Sequence, residues 1–93
     1  MNVKTVYVAY DGRLDQLTKQ VGHVNVYGET ADDVTSAIHL AEAWMELSGF
    51  TTEHSYVEDS VAFPLVLSSQ DGEDTLLGWK VVCEIANDDN LLD

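Results

Sequence analysis

Basic residues are scarce in this chain: Lys4, Arg13, Lys19 and Lys80 are the whole supply. They are scattered, whereas holding phosphate takes clustered Lys and Arg, so neither nucleic acid nor an anionic membrane is an expected direct partner. Cysteine is nearly absent. Cys83 stands alone, so no internal disulfide can form, which fits a reducing compartment. No apolar run approaches the roughly 20 residues needed to cross a membrane. The opening MNVKTVYVAYDG lacks the long apolar stretch of a secretory signal, so the expected location is the cytoplasm. No internal repeat or long low-complexity stretch divides the 93 residues, which suit one domain, 1–93.

What the chain has in excess is negative charge. Seventeen Asp and Glu against four Lys and Arg give a formal net charge of -13. Solubility of a small domain asks for a magnitude of only roughly 2 to 8, and repulsion at this level destabilises the compact state. Apolar residues still make up 45%, enough for a core. A domain this short buries a modest share of its surface, so a homodimer would help it.

The clearest element is a helix over roughly residues 31–48. Thr30 followed by Asp33 has the spacing of a capping box. Val34, Ala37, Ile38, Ala41, Trp44 and Met45 recur at helical spacing as the buried stripe. Gly49 suits the position after the C-cap, with Phe50 folding back. Asp32, Thr35, His39, Glu42 and Glu46 fall on the opposite face.

Residues 3–10 and 21–27 read as strands, with 13–20 between them as either a helical turn or a wide loop. Residues 51–58 are polar and extended. Residues 61–68 and 76–86 form an antiparallel hairpin around the turn residues Asp71-Gly72. In that hairpin Val61, Phe63, Leu65 and Leu67 share one face, and Leu77, Trp79, Val81, Cys83 and Ile85 face the core. Pro64 cannot donate to a ladder, which puts its strand at an edge or a bulge. The order ββαβββ predicts an α+β fold: a single antiparallel sheet of about five strands with one main helix on one face. The acidic tail 87–93 is expected to fray.

No residue set reads as catalytic, and no metal or cofactor is expected. His23, His39 and His54 match no compact ligand spacing. Cys83 alternates in register with Val81 and Ile85 as a core residue, not a nucleophile. Close carboxylates such as Glu58 and Asp59 arise by chance in so acidic a chain. DGED lacks the ligand spacing of a calcium loop, and no glycine-rich motif opens the helix. Trp44 and Trp79 fall on core stripes.

A basic surface is the natural complement of this chain. In size and charge it is similar to the small DNA-mimic inhibitors that phages and mobile elements deploy against restriction or CRISPR nucleases. That similarity is one of composition, and no motif carries residue roles across. It implies a partner that is a basic nucleic-acid-binding protein, such as a defence nuclease, whose site the acids would occupy. The expected contact surface is Asp32, Asp33, Glu42, Glu46, Glu53, Glu58 and Asp59, with Asp71, Glu73 and Asp74 as a second cluster. Glu42 and Glu46, one turn apart, would stand about 6 Å from each other, near the phosphate spacing of one strand. Two other readings compete: a general acidic interaction module, and an acidic surface that merely keeps the protein soluble, in high salt for example.

Overall fold

The computed structural model describes residues 2–22 and 29–87. Strand β1 spans Asn2–Tyr10, helix α1 Leu14–Val21, strand β2 Thr30–Ala31, helix α2 Val34–Leu47, strand β3 Ser55–Ser68 and strand β4 Asp74–Asn87. The fold is α+β. The sheet has four strands in the order β2-β1-β4-β3. β1 pairs antiparallel with β4 and β4 with β3, but β1 and β2 run parallel, with Ala9 opposite Thr30 and Tyr10 opposite Ala31.

The expected five-strand antiparallel sheet is therefore corrected at two places. The first is 13–27. A parallel return needs a crossover of about a dozen residues or more, and α1 lies within it. Its end is set by Gly22, in the left-handed conformation at φ 89°, whose N–H reaches the Thr18 carbonyl at 2.9 Å. Val21 thus closes a helix instead of opening a strand. The rest of the expected strand, 23–27, lies outside the described residues, as does 88–93 of the tail. The second is 51–68. The strand starts only at Ser55 and runs unbroken to Ser68, absorbing Glu58 at a bulge between Val57 and Asp59. A bulge lets one strand carry an extra residue without ending the ladder, so two expected strands become one.

Helix α2 begins later than the spacing suggested. Asp33 is its N-cap, and its carboxylate accepts the Ser36 N–H at 2.7 Å. Thr30 is not a cap but part of β2, with its hydroxyl bonded to the Asp11 carboxylate. The other end matches expectation. Gly49 (φ 80°) donates to the Glu46 carbonyl and Phe50 N–H to the Met45 carbonyl, at 3.1 and 2.8 Å. These are the two bonds of a Schellman stop.

Two cores sit on opposite faces of the sheet. On one face Ala37, Ala41, Trp44 and Met45 of α2 pack on Val6, Val8, Trp79, Val81, Cys83 and Ile85. Val34, expected in this stripe, is 45% exposed, because it sits in the first helical turn, at the rim of the packed area. On the other face α1 lays Leu17 against Ala9 and Leu77, with Leu14, Val21, Tyr7 and Leu65 around them. Among the described residues, the eight-residue α1 covers one end of that face.

Val61, Phe63 and Leu67, grouped on one face by the alternation, are 47%, 50% and 43% exposed. Alternation told which residues of β3 share a face. It did not tell which face α2 would cover, and α2 covers the side of Val57 and Ala62. Pro64 does lie on the edge strand. The register ends β1 opposite Gly78 at Ala9, so residues 66–68 and 74–76, with the turn joining them, project as a two-stranded arm beyond β1. The result is elongated: 59 × 23 × 21 Å with a radius of gyration of 15.0 Å, against about 12 Å for a compact chain of this length.

Candidate functional site

Local structure gathers the acids at the two ends of this rod. β1 and β2 finish side by side, tied by the Asp11 N–H to the Ala31 carbonyl at 3.1 Å. Asp11, Asp32 and Asp33 follow those strand ends directly. Asp15 lies in the first turn of α1, and Glu29 precedes β2, its Oε2 accepting the Trp44 indole N–H at 3.4 Å. Asp71, Glu73 and Asp74 stand further out on the same end, on the projecting arm. The turn is held by Ser69 and Glu73, whose backbones bond at 3.0 Å, and Asp74 accepts the Ser68 hydroxyl at 2.9 Å.

α2 then carries the chain back along the sheet to the opposite end. There Glu46, Glu53, Glu58 and Asp59 are all exposed. Fourteen described residues ascend in α2 at about 1.5 Å each, so Asp33 and Glu46 lie about 20 Å apart. The acids expected to form one surface are thus split between two ends. Asp32 and Asp33 join Asp11, Asp15 and Glu29, and the arm acids stand beyond them. Asp11, Asp15, Glu29 and Glu84 were not singled out from sequence. For Asp11 the hint was there, in the Asp-Gly turn, but only the parallel β1–β2 pairing puts it beside Asp32.

Glu42 does not lie on the outer helix face. It is half-buried, and its Oε2 accepts the Ser60 hydroxyl at 3.2 Å. It therefore does not pair with Glu46 as two free carboxylates at phosphate spacing. The same Ser60 oxygen lies 3.6 Å from Cys83 Sγ. Burial pushes the Cys83 thiol up, the Ser60 hydroxyl offsets part of this, and the Glu42 carboxylate adds to the rise. A neutral thiol beside a carboxylate is the opposite of an activated nucleophile, which needs nearby positive charge. Asp33 moves the other way: the Ser36 N–H and hydroxyl hold its carboxyl below the ordinary range.

The cations do little to offset this field. Arg13 donates to the Gln16 side-chain oxygen at 3.1 Å, and the Lys4 ammonium sits 4.7 Å from the centre of the Phe50 ring. Both spend their contacts on neutral groups. Twelve of the fourteen acids among the described residues are exposed, and only Glu42 and Glu84 are half-buried.

Among the described residues, no group of three or more His, Cys, Asp and Glu is placed to hold a metal ion, and no helix is long and apolar enough to cross a membrane. The arrangement offers charge over distance, not converging groups. No protein-family model, curated protein or solved structure matches this chain.

Proposed function

We propose that this chain is a non-enzymatic inhibitor that occupies the nucleic-acid-binding site of a basic protein, with a defence nuclease as the leading class of target. The observation that supports this is the placement of twelve exposed carboxylates along a rod 59 Å long and little more than 20 Å wide. Duplex DNA carries one charge per roughly 1.7 Å of axis, so one side of a duplex that long offers on the order of fifteen to twenty phosphates. The numbers are of the same order. Two charged ends joined by a helix-covered middle would span a cationic channel rather than plug a pocket. Steering by such a field makes association fast and salt-sensitive.

The test is capture from lysate on the immobilised chain at low salt, elution with rising salt, and a displacement assay on the eluted protein. The reading requires that the partner lose its bound DNA or RNA as this chain is added. It also requires that reversing exposed acids at both ends (Asp32→Lys and Asp71→Lys, Glu46→Lys and Glu58→Lys) weaken the effect in each case. A partner that keeps its nucleic acid while holding this chain would point to a general acidic interaction module instead. The exposed apolar residues of β3 favour that second reading, since nucleic-acid mimicry has no use for Val61 and Phe63.

A further inference from the structure

The sheet face that α2 covers runs on past the start of that helix. Its outer rows follow from the register: Ala62 with Val81, then Pro64 with Trp79, then Val66 with Leu76, then Ser68 with Asp74. Val81, Trp79 and Leu76 all pack in the core beneath α2, and residues directly opposite each other share a face. Leu77 is the extra residue where the register shifts, so Pro64 and Val66 stay on the same side. Cover is lost along these rows. Ala62 is half-buried, Pro64 is exposed, and Val66 is 48% exposed. Leu76 beside it is only half-buried. Val34, in the first turn of α2, is 45% exposed at the rim of the same core.

Acids flank this apolar strip. Asp32 and Asp33 lead into α2. Asp74 lies one row, about 6.7 Å, beyond Val66 and Leu76. It accepts the Ser68 hydroxyl at 2.9 Å, and Asp71 and Glu73 follow in the turn. All five acids are exposed. No Lys or Arg occurs between Lys19 and Lys80, so α2, β3 and the turn after it carry none.

We infer that this strip takes a cationic amphipathic segment of a partner protein. Its apolar side chains lie on Pro64, Val66 and Leu76, and Lys or Arg beside them reach Asp32, Asp33 and Asp74. Charge complementarity selects that occupant. A second copy of the chain is a poor one, since it brings seventeen acids against four cations. A purely polar cationic surface would leave Val66 and Leu76 in water. The inference rests on the reading that the partner is basic, and it adds that the contact is not made by charge alone. Attraction between exposed charges fades as salt shortens the screening length, whereas apolar burial does not depend on that length. Part of the affinity should therefore survive high salt.

The probe is the acetylated, amidated peptide Arg-Lys-Leu-Phe-Lys-Arg, with a control of equal charge in which Ser-Ser replaces Leu-Phe. Each is titrated into the isotope-labelled full chain at about 0.05 and 0.5 M sodium chloride. Backbone amide shifts give both affinity and location, and melting curves show that each variant is folded. At the higher salt the Leu-Phe peptide should bind at least about fivefold more tightly than the Ser-Ser one. Its shifts should concentrate in residues 32–38, 64–68 and 74–76. Val66→Ser should remove that advantage, while Val61→Ser, on the opposite face, should keep it. Asp32→Asn with Asp74→Asn should weaken both peptides at the lower salt. Equal binding of the two peptides at the higher salt overturns the inference. So does a loss with Val61→Ser as large as with Val66→Ser, or a set of shifts centred elsewhere. Displacement of nucleic acid judges the inhibitor reading separately: a chain that displaces it yet treats both peptides alike leaves that reading standing and overturns the apolar contact.

Discussion

Gly78 lies so close to Val8 that a Cβ at position 78 would stand 2.2 Å from the Val8 carbonyl oxygen. It would also come within 2.8 Å of the Ala9 Cα, and the Gly78 φ of 154° belongs to a region that side chains avoid. Both near atoms are backbone, so nothing flexible can move aside. Gly78 pairs with Ala9 and Leu65 beneath α1 and adjoins the β4 irregularity that turns Leu77 toward Leu17. Gly78→Ala should force β1 and β4 apart and cost about 3 kcal/mol or more. Urea unfolding measures it, and a loss under about 1 kcal/mol would show that the strands relax freely.

Leu17 is the only fully buried side chain of α1. Leu17→Ala should cost about 2 to 4 kcal/mol. The loss should be local first, because the larger core under α2 does not include this residue. Amide exchange should rise in 14–21 before it rises in β4; uniform acceleration would show instead that the two cores melt as one.

Asp33 should make the start of α2 sensitive to acid. Its pKa is lowered in the folded state, so its stabilisation is present above the unfolded value, near 3.9. That stabilisation fades as pH falls through the lower native value. Asp33→Ala should lower the melting temperature at pH 7, and the gap to wild type should close as pH drops below about 4. A gap that persists unchanged at pH 2 would assign the effect to helix propensity and not to the carboxylate cap.

The Cys83 thiol should resist modification in the native protein. It is fully buried and its pKa is raised, chiefly by burial. A neutral thiol reagent at pH 8 should react about a hundredfold or more slower than with the unfolded chain, at a rate set by opening of the sheet. The stability linked to this thiol is complete below its unfolded pKa and is lost as pH rises through the higher native value. Alkaline melting curves should show that decline, and a Cys83→Ala variant should lack it.

Salt should stabilise the fold. Net charge is -13, and the screening length falls from about 30 Å at 0.01 M to about 3 Å at 1 M. Acids crowded at each end repel less as that length shrinks. The melting temperature should rise by several degrees over this range, with sodium and potassium chloride equivalent. A fall would mean that ion pairs outweigh repulsion.

Legibility from sequence followed the range of the forces. The α2 stop at Gly49 and Phe50, the turn at Asp71-Gly72 and the buried run Trp79, Val81, Cys83 and Ile85 depend on neighbours within a few residues, and all were readable. The cap was misplaced by three residues because Thr30 and Asp33 are both competent acceptors. The choice fell to Thr30's bond with Asp11, nineteen residues away.

Composition by itself determined that the molecule would be acidic, that its cations could not neutralise it, and that β3 and β4 would form a hairpin, because charge totals and local periodicity need no partner from elsewhere in the chain. Only tertiary structure decided that β2 returns parallel to β1, that Val61 and Phe63 are left uncovered, that Glu42 turns toward Ser60, and that the acids gather at two ends. Each of these depends on which sheet face a helix happens to occupy, and alternation, being symmetric between the two faces, cannot say.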